Sequence, residues 1–415
     1  MADRLNIYWN EHLVGQLWVD KKSDFVFQYD PGWIESNGAI PLSVRLPFQK
    51  EPFSDASARI FFANLLPEGD VRQAIAVLHQ ISPGNSFKLL EILGGECAGA
   101  ITLIPEGAKP GMGGSYIPLS WEELDTMIDQ MPQHPLLTAK GDLRLSLAGA
   151  QHKLPVFVKG RELYLPKGSF ASSHILKPQI ERFKNTVENE AFCMKLAKEC
   201  GLPVAGSAIW KEGKHAVLLV ERYDRQAGEG TPIRLHQEDF CQALGFSYER
   251  KYESEGGPKL RDCFALLDAK SSQPIVDKKN LLNWVIFNYL IGNCDAHAKN
   301  ISLLITREGF RLAPFYDLLS TMVYERLAKE LAMRVGGEAN LGNLMKKHWE
   351  RLADEAGVGF KAVFAYGQEM AKKLPSAAKR LSMEFIQQHG TQWVIEGIGR
   401  HITKYSGKLL KASTL

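Results

Sequence analysis

Asp295, Asn300 and Asp317 lie within one short stretch and are of the types that phosphoryl transfer requires. That reaction asks little covalent chemistry of a protein and depends instead on positioning and charge. It needs a carboxylate beside the acceptor hydroxyl, oxygen ligands for magnesium, a lysine on the phosphates and a loop that covers them. Asp295 is the candidate for the carboxylate that orients the hydroxyl and takes its proton, and Asn300 and Asp317 are the candidate metal ligands.

Asp295 and Asn300 are five apart, the spacing of the Asp and Asn in the catalytic loop of protein kinases. Phe315-Tyr316-Asp317 follows a predicted hairpin and puts Asp317 at a DFG-like position, with Leu318 in place of the glycine. The Asp–Asn spacing alone is a weak signal, because helix caps and turns use the same residues; a second Asp just after a hairpin strengthens it. In the same loop, His297 is expected to orient Asp295 or touch phosphate, or simply to make a structural hydrogen bond. Lys299 is expected to neutralise the transferred group. Lys177 ends a strand-like run and is the candidate phosphate lysine. The following helix has an apolar stripe of Val187, Ala191 and Met194, with Glu190 inside it. An acid on a buried face wants a cation, so a Lys177–Glu190 pair is expected, with Glu188 as the alternative. The phosphate-covering loop is expected from Ser146 to Lys153, where Ala148, Gly149, Ala150, Gln151, His152 and Lys153 would meet the nucleotide. Small residues there let backbone N–H groups approach anionic oxygens, although the loop is neither G-x-G-x-x-G nor a Walker A sequence. Glu221, Arg222 and Tyr223 are the expected hinge against adenine, and Tyr316 is a further expected nucleotide contact.

These residues need scaffolding. Leu5–Trp9, Leu13–Val19 and Asp24–Tyr29 are short, alternating and β-rich. Helical patterns follow at 55–80 and 85–95, then a strand at Ala98–Leu103. The Gly/Pro-rich stretch after residue 105 reads as a linker, and Ser120 with Glu123 reads as a capping box opening a helix at Trp121. Strands are expected at 144–147, 153–158, 162–165, 174–177, 207–210 and 216–221, with one helix at 186–200. Beyond 236 the pattern is helical except for strands at 301–305 and 310–312. The expected organisation is a module at 1–106, a linker at 107–120, a β-rich lobe at 121–235 and a helical lobe at 236–415. The fold class is α+β: a protein-kinase-like two-lobed fold with an N-terminal α+β module and an all-helical C-terminal lobe.

Composition sets bounds on this reading. Of 415 residues, 45% are hydrophobic and 23% charged, the balance of a globular chain. The formal charge of +3 argues neither for nucleic acid nor for membrane. From Ala371 to Leu415, however, eight Lys/Arg face two acids. Such a stretch is a solvated helical face or a contact for phosphates. The six cysteines show neither CxxC nor zinc-ligand spacing. With no apolar leader and no apolar run long enough to span a bilayer, the expected location is cytoplasmic.

The motifs SLAGAQHK (146–153), LVERYDR (219–225), KYESEGGP (251–258), IGNCDAHAKN (291–300) and PFYD (314–317) resemble those of the HipA-type kinases. LPFQ (46–49), FFANLLPEG (61–69) and GAITLIPE (99–106) resemble that family's N-terminal domain, and the motifs keep their order along nearly the whole chain. The resemblance implies a serine/threonine protein kinase toxin of a toxin–antitoxin system. On it, Asp295 matches the catalytic aspartate, Asn300 and Asp317 the magnesium ligands, and Lys177 the ATP lysine. Residues 148–153, 221–223 and 297–300 match nucleotide contacts, and Ser146 matches a serine whose autophosphorylation silences the enzyme. ATP and Mg2+ follow as cofactors. The implied partners are a small helix-turn-helix antitoxin, operator DNA reached mainly through it, and a protein acceptor such as glutamyl-tRNA synthetase. His152 departs from the family, where an acid is usual, and KYESEGGP has no chemistry assignable from spacing. The competing readings are a small-molecule kinase and a catalytically inactive binding module acting as co-repressor.

Overall fold

Short amphipathic strands such as those opening this chain bury one face only when something packs on it. In the computed structural model, which describes residues 4–108, 113–131, 135 and 148–412, they form an antiparallel sheet. Its strands are β1 (Arg4–Trp9), β2 (His12–Val19), β3 (Phe25–Tyr29) and β4 (Ile101–Pro105), in the order β3-β2-β1-β4. Helix α1 (Pro31–Glu35) is capped by the Asp30 carboxylate, which accepts from the Gly32 and Trp33 N–H groups. Helices α2 (Asp55–Ala63), α3 (Gly69–Leu78) and α4 (Ser86–Leu93) supply Phe61, Phe62, Ile75 and Leu90 to the core over the sheet.

The second sheet has six strands: β5 (Gly114–Leu119), β6 (Leu154–Lys159), β7 (Glu162–Gly168), β8 (His174–Pro178), β9 (Ser207–Trp210) and β10 (Val217–Glu221). Their order is β5-β7-β6-β8-β10-β9. Here the expected linker at 107–120 is corrected, because 114–119 pairs along the whole of β7. Gly114 belongs to that pairing: a Cβ there would overlap the Phe170 ring and the Lys167 carbonyl. Tyr116 then stacks on Phe157 at 3.9 Å. Helix α5 (Trp121–Asp129) opens with the expected capping box of Ser120 and Glu123, and α6 (Thr186–Glu199) packs by β9 and β10. Strand β10 is buried on both faces. By the two-residue period of a strand, Val217 and Leu219 join the core shared with the N-terminal module, whereas Leu218 and Val220 join the core of the helical lobe.

A small hairpin of β11 (Arg225–Gln226) and β12 (Ile233–Arg234) leads into the second lobe. This lobe is mainly helical: α7 (Phe240–Leu244), α8 (Leu260–Lys270), α9 (Pro274–Ile291), α10 (Lys346–Ala356), α11 (Phe360–His389) and α12 (Gln392–Ala412). To the two expected strands, seen as β14 (Ser302–Thr306) and β15 (Gly309–Leu312), the structure adds three. They are β13 (His236–Asp239), on the edge of β14, and the hairpin β16 (Glu330–Val335) and β17 (Glu338–Asn340). Apolar almost all round, α9 runs through the core and stops at Gly292, whose φ of 72° is left-handed. A Cβ there would press on Met322 at 3.0 Å. The Lys and Arg side chains of the basic stretch lie on the outer faces of α11 and α12, most of them exposed. All six cysteines are free. Among the described residues, no helix is long and apolar enough to cross a membrane.

Candidate active site

A cavity of about 350 Å³ opens where the six-stranded sheet, the helical lobe and the N-terminal module meet. Helix α9 ends at it and delivers the loop 293–300, which is fixed from inside. The Asn293 amide donates to Asn288 Oδ1 at 2.8 Å, and its Oδ1 accepts from the Asp295 N–H at 3.0 Å. The Asn300 amide closes the loop on the Asp295 carbonyl at 3.1 Å. Asp317 arrives from beyond β15 with a φ of 59°, a left-handed conformation that costs most residues strain and Asp less. Asp295, Asn300 and Asp317 all line the cavity.

Lys177, at the end of β8, donates to Glu190 of α6 at 2.6 Å and to Asp317 at 2.8 Å. The pairing thus falls to Glu190, not Glu188. Burial would raise the Asp317 carboxyl, but Lys177 outweighs it and holds the group below its ordinary range, so it stays anionic. Burial raises Glu190 against the pull of Lys177. Lys153 bends back to the Ala148 carbonyl. Burial, helped by the nearby Lys177 charge, lowers its ammonium to about 8. The cavity walls therefore bring together Lys153, Lys177, Asp317 and the aspartate–asparagine loop.

Of the other expected contacts, Ala148, Gly149, Ala150, Gln151, Glu221, Tyr223, His297 and Tyr316 also border the cavity. Tyr223 and Tyr316 stack at 5.6 Å, and Tyr316 donates to the Lys299 carbonyl at 2.7 Å. Two expectations need correction. His152 does not border the cavity. Arg222 borders it, but its guanidinium is committed to Glu96, Asp224, Ser172 and the Cys97 carbonyl. The Glu221 and Arg222 N–H groups are likewise committed, to the Gly206 and Ser173 carbonyls. Lys299 borders the cavity as expected, and its ammonium is bonded to Asp239 at 2.6 Å and Asn64 Oδ1 at 2.9 Å. Ser146 lies outside the described residues.

The comparisons with known proteins follow this geometry. The family profile of the HipA N-terminal domain matches residues 5–104, and that of the HipA-like C-terminal domain matches residues 145–379. The chain belongs to the HipA family. It is 45% identical to the protein Y4mE of Sinorhizobium fredii, over 86% of this chain and 87% of that protein. It is 33% identical to the serine/threonine-protein kinase toxin HipA of Shewanella oneidensis, over 90% of this chain and 88% of that one. Among solved structures, the HipA of Shewanella oneidensis MR-1 in complex with HipB and its operator DNA superposes with a TM-score of 0.86. That match is 29% identical and covers 99% of both chains. The two-lobed α+β fold with its front module is therefore the HipA fold.

Within this HipA-family site the sequence reading missed residues from the N-terminal module and from KYESEGGP. Asn64 and Glu68, of FFANLLPEG, line the cavity, and the Glu68 N–H donates to the Gly149 carbonyl of the expected phosphate loop at 3.0 Å. The Glu68 carboxylate takes Lys251 at 2.7 Å and faces Lys299 at 3.8 Å. Burial would raise it, but the two lysines hold it low. The Tyr252 hydroxyl donates to Asp295 Oδ1 at 2.7 Å. No spacing could have found these partners, which are 183 and 43 residues apart; the only signal was that two unexplained motifs each carried a charged residue beside glycine.

Proposed function

We propose that this chain is an ATP- and Mg2+-dependent serine/threonine protein kinase, the toxin of a toxin–antitoxin module. The observation that carries the reading is the convergence of Lys177–Glu190, Asp317 and the Asp295–Asn300 loop on one cavity of nucleotide size. The donor set fits the cofactor: Asp317 is an anionic oxygen ligand and Asn300 supplies a neutral one beside it. Magnesium held there would neutralise charge on the bridging phosphate oxygens. Lys177 and Lys153 hold the phosphates as point charges, while Ala148–Lys153 cover them and Tyr223 and Tyr316 flank the base. Asp295 accepts the acceptor's hydroxyl proton as the new O–P bond forms and the bond to the leaving oxygen of ADP breaks.

The acceptor is a protein serine or threonine, with an aminoacyl-tRNA synthetase such as that for glutamate as the first to try. Ser146 is the site of self-phosphorylation that silences the enzyme, since a dianion there would be repelled by bound phosphates. The partner is a HipB-like helix-turn-helix antitoxin, through which the complex reaches operator DNA in the cytoplasm. The likeness to the Shewanella kinase toxin, and to the HipA solved with HipB and its operator DNA, supports the kinase-toxin and partner assignments.

The test is to incubate phosphatase-treated protein with Mg·ATP and record its intact mass beside Asp295→Ala. A phosphate-sized gain in the wild type alone, mapped to Ser146, is the expected result. No gain together with no ATP-induced thermal shift would overturn the kinase reading in favour of a binding module. ATP binding without a gain would send the search to external acceptors, small molecules included.

A further inference from the structure

We propose that Tyr252 is a positioning residue for phosphoryl transfer: it holds the Asp295 carboxylate in its working orientation. This rests on the reading of Asp295 as the catalytic carboxylate. The Tyr252 hydroxyl donates to Oδ1 of Asp295 at 2.7 Å. With Oδ1 occupied and the side-chain torsions pinned, Oδ2 is the oxygen left to meet an acceptor hydroxyl. Among the described residues no other hydrogen bond reaches that carboxylate: Asn293 accepts from the Asp295 N–H and Asn300 donates to the Asp295 carbonyl.

The phenol is itself held on several sides. Its ring meets His297 edge-on at 5.3 Å and 79°, and the Lys251 ammonium sits 5.5 Å from the ring centroid. Lys251 in turn is tied to Glu68 of the N-terminal module. Burial raises the phenol's pKa, and the Asp295 charge raises it further, so it remains a donor across the working pH range.

The chain spends two glycines on placing this tyrosine. Gly256 has a φ of 80°, and its N–H caps the short turn Glu253–Glu255. The Gly257 N–H returns to the Tyr252 carbonyl at 2.9 Å. A Cβ on Gly257 would overlap the carbonyls of Arg250 and Tyr252. On the far side Glu253 accepts from the Arg334 N–H at 2.7 Å, tying the turn to β16. The segment KYESEGGP is thus a bracket between the N-terminal module, the helical lobe and the catalytic loop, with Tyr252 as the part that reaches Asp295.

The test uses the full, phosphatase-treated chain and its own phosphate uptake from Mg·ATP, followed by intact mass. Tyr252→Phe keeps the ring and removes the hydroxyl. The expected result is a saturating rate lower by about tenfold, the worth of one well-placed hydrogen bond. The half-saturating ATP concentration and the melting temperature should stay where they are. A rate unchanged or raised would overturn the proposal, a rise meaning that Tyr252 blocks the acceptor's place. A matching loss of ATP affinity or of melting temperature would also overturn it, by making the role structural. If the wild type neither takes up phosphate nor shows an ATP-induced thermal shift, or Asp295→Ala takes up as much phosphate, the kinase reading itself has failed and Tyr252 falls with it.

Discussion

The N-terminal module sends two buried glutamates into the rest of the molecule, and they are treated in opposite ways. Glu96, 4% exposed, sits behind the hinge and is saturated. Arg222 and Arg225 bond it at 3.0 and 2.9 Å, Arg234 closes on its other oxygen, and the Ser172 hydroxyl adds a bond at 2.8 Å. Glu68, 5% exposed, sits in front at the cavity and is under-supplied. Lys251 bonds one oxygen, and the other accepts no hydrogen bond among the described residues. Arginine presents a rigid planar fork, whereas lysine is a point charge on a flexible stem. The back contact is therefore a fixed mount that keeps module and hinge in one relation. The front contact is looser, with one Glu68 oxygen bonded to Lys251 and the other facing Lys299 at 3.8 Å.

The largest expected effect comes from breaking the mount. Glu96→Ala would leave three buried arginines with Asp224 as their one carboxylate among the described residues, beside the Ser172 and Thr102 hydroxyls and carbonyl oxygens, and removing one member of such a network costs about 3–5 kcal/mol. Urea unfolding should show that loss, together with poor expression. A loss below about 1 kcal/mol would mean that the arginines find new partners and that the contact is not a fixed mount.

A third carboxylate sharpens the contrast because no cation pairs with it among the described residues. Glu238 of β13 accepts from the Ser43 hydroxyl at 2.6 Å and the Val44 N–H at 2.8 Å, joining the module to the helical lobe. Burial raises its carboxyl to about 8. A proton held by the folded state and released by the unfolded one stabilises the fold below the unfolded pKa, and the benefit fades as pH rises through about 8. Stability should therefore fall by about 2 kcal/mol between about pH 6 and pH 8. In Glu238→Gln, whose amide cannot ionise, that slope should vanish; an unchanged slope would assign it to another group.

Parts of this arrangement were legible in the sequence and parts were not, for physical reasons. The Asp295, Asn300 and Asp317 cluster could be read because one helix, one loop and one hairpin carry all three. Glu190 could be read because a lone acid in an apolar stripe announces a missing cation. Lys299 looked equally functional, but its partners Asp239 and Asn64 are distant in sequence and nothing local points to them. β13 was invisible because His-Gln-Glu-Asp has no strand pattern; the strand exists because its side chains are claimed by Leu42, Ser43, Val44 and Lys299. The glycines of 113–114 looked like a linker because sequence cannot show that Phe170 fills the space beside Gly114.

The next effect concerns the cations facing the front contact. Burial and the charge of Lys177 bring Lys153 down to about 8, so a growing share of it is neutral as pH rises past that value. Bound phosphates would restore the charge, and nucleotide binding should then take up a proton. Between about pH 7 and pH 9 the affinity for Mg·ATP should weaken by about tenfold, the change in the protonated fraction of such a group. Calorimetry in buffers of different ionisation enthalpy would read the proton directly. Lys153→Met should bind more weakly at the lower pH and lose most of the pH dependence. A wild-type affinity flat across this range would remove Lys153 from the phosphate site.

The smallest effect is the one that decides what the front contact is for. Glu68→Gln keeps the shape, keeps an acceptor for Lys251 and leaves the Glu68 N–H on the Gly149 carbonyl. Lys299 keeps Asp239. What goes is a single charge shared by two lysines, so stability should fall by only about 1 kcal/mol, well short of the loss at Glu96. If the contact only braces the fold, phosphate uptake will follow that small loss and no more. If it trims the loops around Asp295, the saturating rate should drop by about threefold, an effect worth under 1 kcal/mol. ATP affinity would stay unchanged. Because Lys251 leans on Tyr252, the drop should disappear in a Tyr252→Phe background, as expected of residues acting through one path. Full additivity of the two substitutions would break the link between the module and Asp295 and leave Glu68 as a second, looser mount.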